Sequence, residues 1–174
     1  MNLIVFLGNP GKEYARTRHN VGFRLADVLF PDASWQKKFH GLYAQEAGQR
    51  LLKPQTYMNI SGQSVAEAYA FFHLHSQEVV VVHDDLELPF GTAKLQLGGG
   101  LQGHNGLRSI KTDIGSDQFL RIRIGIGRPP HGNAASYVLA PFTPDEEIGL
   151  SLLLPRLRPW LERPQDQPQA ISLE

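Results

Sequence analysis

The sequence predicts a single-domain, three-layer α/β/α fold with a twisted, mixed and mostly parallel central sheet. Three observations carry this prediction. Short apolar runs alternate with segments of helical periodicity from one end of the chain to the other. The run Val79–Val82 is uninterrupted and β-branched, the pattern of a strand buried on both faces. At 174 residues and 41% apolar composition, the chain suffices for one sizeable core but hardly for two.

Taken in order, the apolar run Leu3–Leu7 closes at Gly8-Asn9-Pro10-Gly11. Glycine and asparagine tolerate positive φ and proline cannot continue a ladder, so a strand ends there in a turn. From Asn20 to Phe30 the apolar residues follow helical spacing until Pro31. "LYAQEAG" and "RLLKPQ" form a strand pair, and "SGQSVAEAYAFFHL" a helix. Val79–Val82 is the central strand. "GTAKLQLGGG" reads as a half-buried strand before a glycine-rich loop, "HNGLRSIKTDIG" as a short amphipathic helix, and "FLRIRIGIG" as a strictly alternating strand. A last helix begins at Thr143, its cap, carries acidic residues in its first turn and is interrupted by Pro155. The proline- and glutamine-rich residues from about 163 to 174 are expected to be a frayed tail.

Composition excludes several classes of function. The chain has no cysteine, hence no disulfide framework, thiolate nucleophile or cysteine-based zinc site. Its N-terminus has no basic stretch before the apolar run, which is too short for a signal peptide or a membrane span, so a cytoplasmic protein is expected. Seventeen Lys and Arg balance seventeen Asp and Glu, so global charge selects no partner. Locally, residues 94–128 carry Lys94, Arg108, Lys111, Arg121, Arg123 and Arg128 against Asp113 and Asp117, a surplus of four. Arg121 and Arg123 share one strand face by the period of two, and that face either binds phosphates or is merely solvated.

In open α/β sheets, sites form at the carboxyl ends of strands. Four such ends carry polar clusters here: Asn9 with His19, "TYMN" with Asn59, "HDDLELP" with Asp84 and Asp85, and "GGGLQGHNG" with His104 and Asn105. One candidate base, several carboxylates and three carboxamides on one rim suit hydrolysis of an acyl bond by activated water. The imidazole takes the proton, a carboxylate fixes its tautomer, and amides hold the developing oxyanion. No Gly-x-Ser-x-Gly elbow and no His-Glu-x-x-His zinc motif occurs. From spacing alone, His19 can equally be a solvated or capping residue, Asp84 and Asp85 turn residues, and Asn59 a helix cap.

The stretches "GNPGKEYARTRHNVGF", "KPQTYMNISGQSV", "HDDLELPFG", "GGGLQGHNGLRSI" and "RIRIGIGRP" together resemble the signature segments of the bacterial-type peptidyl-tRNA hydrolase family, in the same order, as far as about Phe142. The resemblance implies a monomeric, cytoplasmic α/β enzyme without metal or cofactor. Such an enzyme cleaves the ester between a peptide and the 3′ ribose of tRNA, with peptidyl-tRNA as its nucleic-acid substrate, no obligate protein partner and no membrane. It implies His19 as general base, Asp84 as the carboxylate beside it, and Asn9 as the residue that recognises the blocked amino group. It implies Tyr14, Tyr57, Asn59 and Asn105 as contacts to peptide and terminal adenosine, and Lys94 and Arg123 as contacts to the tRNA backbone. The chain departs from the family pattern at Leu101-Gln102, at Gln96 and in a shorter C-terminal region. Two other readings remain: an RNA-binding protein on the same fold without hydrolysis, and a general carboxylesterase.

Overall fold

Leu3–Phe6 (β1) and Val79–Asp85 (β5) lie side by side and parallel at the centre of one sheet. Leu3 to Phe6 and Val79 to Val82 are all fully buried, as a strand covered on both faces requires. The computed structural model describes residues 1–173. Gln49–Pro54 (β4) and Leu120–Gly125 (β7) extend the parallel pairing on either side. Both margins are antiparallel: Gln36–Lys38 (β2) and Gly41–Glu46 (β3) on one, Thr92–Leu97 (β6) and Gln169–Ser172 (β8) on the other. The order is β2-β3-β4-β1-β5-β7-β6-β8, so parallel pairing belongs to the centre of the mixed sheet.

Alternation along the central strands feeds two cores. Ile4, Phe6, Val80 and Val82 pack under helices α1 (Val21–Leu29) and α5 (Pro144–Leu153) and the segment reaching α6 (Arg158–Glu162). Leu3, Val5, Val79 and Val81 pack under α2 (Ser61–Phe71) and α3 (Asn105–Ile114). Three layers result. Pro144 in the first turn and a Thr143–Glu146 capping box start α5, and a 3-10 turn over Leu154–Leu157 takes over at Pro155. The short helix α4 (Ala134–Val138) stands over the carboxyl rim. Among the described residues no helix is long and apolar enough to cross a membrane.

The C-terminal segment differs from the frayed tail that its composition predicts. Residues 169–172 pair with β6, the Leu173 amide donates to Gly91 O, and Trp160 Nε1 donates to Gln169 Oε1. Backbone pairing to an otherwise open sheet edge orders a segment with little apolar content.

One close approach sets up the rim. A Cβ on Gly22 would stand 2.6 Å from Leu7 O and 2.9 Å from Val82 O. Only glycine lets the start of α1 lie directly on the backbone where β1 and β5 end. The turn before α1, Arg18–Asn20, is therefore pressed against the strand ends.

Candidate active site

His19 is fixed from both sides along the chain. The Arg18 amide donates to Ala140 O, while its guanidinium pairs with Glu146 and lies 3.9 Å from the centre of the Tyr137 ring. Asn20 clasps Asn9: its Oδ1 accepts from the Asn9 amide and its Nδ2 donates to Asn9 O, both at 2.9 Å. Between these anchors the His19 ring reaches Asp84, with Nδ1 2.8 Å from Oδ2. Asp84 Oδ1 meets His104 Nε2, also at 2.8 Å. One buried carboxylate thus holds two imidazoles whose ring centres are 5.2 Å apart.

The hydrogen bonds assign the protons. His104 is the N-cap of α3, and its Nδ1 accepts from the amides of Gly106 and Leu107. Nε2 must then carry the proton and donate to Asp84. The other Asp84 oxygen accepts from His19 Nδ1–H, which leaves His19 Nε2 as a lone pair with no partner among the described residues. Burial acts to raise the Asp84 pKa, but the two imidazoles and their hydrogen bonds outweigh it and hold the carboxyl below the ordinary range. At His19, burial opposes the imidazolium, yet the charge and hydrogen bond of Asp84 prevail and raise its pKa above the ordinary value.

Donor atoms of His19, Asp84 and His104 lie within 4.8 Å of one another, close enough to surround a cation. The capping role of His104 does not fit that use. A metal on Nε2 would force the proton onto Nδ1, against two backbone N–H groups that already point at it.

These residues line a pocket of about 220 Å³ that Asn105 borders and whose far wall is Ala134, Ala135 and Val138 of α4. Asn105 and Asn59 also line a second groove between α2 and α3. Asn9 stands next along the rim. Its Oδ1 accepts from the Met58 amide at 2.7 Å, so Nδ2 is the group it has left to offer. Beyond it Tyr14 and the exposed Tyr57 meet edge to face, 6.4 Å between centres. Asn59 is exposed in the turn Met58–Ile60 and does not cap α2.

The expected cationic face is smaller than the sequence implies. Arg121 is only 2% exposed, and its Nε donates to Gly98 O. Arg123 pairs with Lys94 across β6 and β7 but donates to Asp85 Oδ2 and Gln96 Oε1, each at 2.7 Å. Arg128 and Lys111 are paired with Glu87 and Asp117. Lys94 and Arg108 have no ion-pair partner among the described residues. Sequence reasoning noted His104 without giving it a role; its signal was a histidine two residues before a glycine at a helix start. His83 carried none. It is buried, its Nδ1 donates to Asp84 O, and its Nε2 is unpartnered.

A buried carboxylate orienting an imidazole at the carboxyl rim of a three-layer sheet defines an α/β enzyme of the hydrolytic kind. The peptidyl-tRNA hydrolase family model matches residues 3–166. A peptidyl-tRNA hydrolase of Geotalea uraniireducens is 48% identical over 99% of this chain and 95% of its own. One from Geobacter metallireducens is 52% identical over 87% and 82%. A crystal structure of a mutant peptidyl-tRNA hydrolase from Acinetobacter baumannii superimposes with a TM-score of 0.86 at 37% identity, covering 93% of this chain and 87% of that one. The chain belongs to the peptidyl-tRNA hydrolase family.

Proposed function

We propose that the chain hydrolyses the ester of peptidyl-tRNA with His19 Nε2 as general base. The observation that carries this reading is the 2.8 Å contact from His19 Nδ1 to a carboxylate that is itself held by His104. A water at Nε2 attacks the ester carbonyl and loses its proton to the imidazole. The bond from carbonyl carbon to ribose O3′ breaks, and the proton passes from Nε2 to O3′. Peptide acid and free tRNA result. Asp84 orients the ring and stabilises the imidazolium while it lasts, and general-base catalysis of this kind contributes about 10²- to 10⁴-fold. An ester has a good enough leaving group for this arrangement to work without a covalent nucleophile or a cofactor.

In this reading Asn9 distinguishes blocked from free amino groups. Its Nδ2 donates to the first peptide carbonyl, an acceptor that an aminoacyl group lacks. A free α-ammonium is also poorly solvated beside other donors. Losing one such match costs ~1–3 kcal/mol, about ten- to a hundredfold in discrimination. Asn59 and Asn105 flank the ester, Tyr14 and Tyr57 stack on the peptide, and the terminal adenosine occupies the α2–α3 groove. Lys94 meets the tRNA backbone, and Arg123, anchored by Asp85 and Gln96, supports it. Action as a monomer belongs to this reading, and a substrate made by translation supports a cytoplasmic location.

Purified protein is expected to release tRNA from N-acetylaminoacyl-tRNA and to leave unblocked aminoacyl-tRNA largely intact. His19→Ala should lower kcat by about 10²-fold or more with little change in KM. Full activity in that variant would reject the proposed base.

A further inference from the structure

On the side of the rim away from Lys94 lies a groove that the reaction so far leaves without a role. It is lined by Lys37, Lys38, His40, Gly41, Gln55 and Thr56, with a volume of about 460 Å³. Strand direction places it on the catalytic rim. β2 runs parallel to β4, so Lys38, paired with Gly41 and through it with Pro54, lies at the carboxyl end of the sheet. Leu52 of β4 is level with Val5 of β1, which puts Pro54 level with Leu7 and the groove level with the strand ends that carry Asn9 and Asp84. Gln55 and Thr56 lead directly into Tyr57, so the groove continues from the aromatic pair beside Asn9.

Its chemistry is specific. Lys37 and Lys38 are exposed and make no ion pair among the described residues, while His40 is matched by Glu67 at 2.6 Å, so the groove keeps a positive excess. Lys38 Nζ is held 4.5 Å from the centre of the exposed Phe71 ring. Thr56, 8% exposed, has a buried hydroxyl without a hydrogen-bond partner, and so does Ser64, whose Oγ lies 2.9 Å from where a Gly41 Cβ would stand. The hairpin tip holds Phe39 and His40 at φ 58° and 51°, the left-handed region that a bulky side chain such as that of Phe39 rarely adopts.

Resting on the reaction proposed above, we infer that this groove is a distal subsite for the peptide of the substrate, selecting acidic side chains upstream of the ester. The cationic excess around Lys94 and Arg108 draws the tRNA toward β6 and α3, which leaves the peptide the opposite direction, past Asn9, Tyr14 and Tyr57. Strands are spaced ~4.8 Å apart, so the groove lies about 14 Å from the end of β1 and about 19 Å from Asp84. An extended peptide advances ~3.4 Å per residue, so about the fourth to sixth residue from the ester arrives there.

The test compares three substrates: N-acetylaminoacyl-tRNA, and two peptidyl-tRNAs of equal length carrying Glu or Lys at the fifth residue from the ester. Wild-type protein at low salt should favour the Glu peptide in kcat/KM by about two- to fivefold, the size of one exposed charge contact. In Lys37→Glu/Lys38→Glu this preference should vanish or reverse, while N-acetylaminoacyl-tRNA is cleaved as before. Thr56→Val should raise KM for the long substrates only. If the double variant is poorly folded, Lys37→Gln/Lys38→Gln must abolish the preference instead. An unchanged Glu-to-Lys ratio overturns the subsite, as does an equal loss on short and long substrates with weaker binding of uncharged tRNA, which would mark the groove as an RNA contact. Failure of wild-type protein to cleave N-acetylaminoacyl-tRNA at all would instead reject the reaction, and the subsite with it.

Discussion

Asp84 accepts hydrogen bonds from two imidazoles, and each serves a different purpose. His19 uses Asp84 to hold a proton on Nδ1 and keep Nε2 basic; His104 uses its own cap position to keep a donor aimed at the carboxylate. Asp84→Asn removes the charge that raises the His19 pKa, leaving burial to lower it. The acid limb of kcat/KM should therefore move to lower pH while the plateau falls by about 10²-fold or more, since an amide also permits the wrong tautomer. A pH profile with an unmoved acid limb would count against this pairing. His104 separates cap from carboxylate contact. Asparagine is a good cap but too short for the same reach, so His104→Asn should keep thermal stability within about 1 kcal/mol while lowering kcat. His104→Ala should lose ~0.5–2 kcal/mol as well. Denaturation curves beside kinetics decide it. Residue spacing alone left the role of His19 open, and the family resemblance supplied the pairing with Asp84. The role of His104 was not legible, because a histidine 20 positions from Asp84 gains its meaning only when α3 starts at the end of β5.

At the scale of elements, legibility follows burial. Val79–Val82 and the alternating "RIRIG" were readable because each side chain faces a definite environment, apolar on both sides or on one. Strands β2 and β8 were not, since Gln36–Lys38 is wholly exposed and Gln169–Ser172 nearly so. Edge strands are held by backbone bonds, which leave little trace in side-chain pattern. The cationic face came out smaller than its sequence for a related reason: the period of two put Arg121 and Arg123 together but did not reveal that Gly98 and Asp85 would claim them. The approach of α1 to the sheet is an element-scale feature with consequences for the site. Gly22→Ala forces a Cβ into Leu7 O and Val82 O, and α1 must lift. Displacement of a few tenths of an ångström at the helix start carries His19 with it. Loss of activity should thus exceed loss of stability: a kcat decrease of about tenfold or more from misorientation, against overpacking of ~1–3 kcal/mol. A variant that loses stability while retaining full kcat would break the link between this contact and the base.

Across the whole molecule, opposite charges balance and pH acts through a few buried groups. His83 is enclosed by the sheet, and burial, together with neighbouring His104 and Arg121, lowers its pKa to about 3. An unfolded histidine titrates near 6.5, so between about 6.5 and 3 the unfolded chain binds a proton that the folded chain refuses. Stability is then lost as pH falls, by about 1.4 kcal/mol per unit. His19 has the opposite sign: its raised pKa adds stability that is fully present below about 6.5 and disappears as pH rises through the folded value. Asp84 joins only in strong acid, because its lowered pKa gives stability that is present above about 3.9 and lost on descent toward the folded value. Chemical denaturation as a function of pH should therefore show stability falling from about pH 6 toward 4, steepening below 4 as the carboxylates protonate. His83→Gln keeps a donor for Asp84 O but cannot titrate, and should flatten the stretch between 6 and 4 while leaving the steeper fall in place. If the variant and the wild type decline in parallel there, His83 takes up its proton as readily in the folded chain as in the unfolded one, and the acid sensitivity belongs elsewhere.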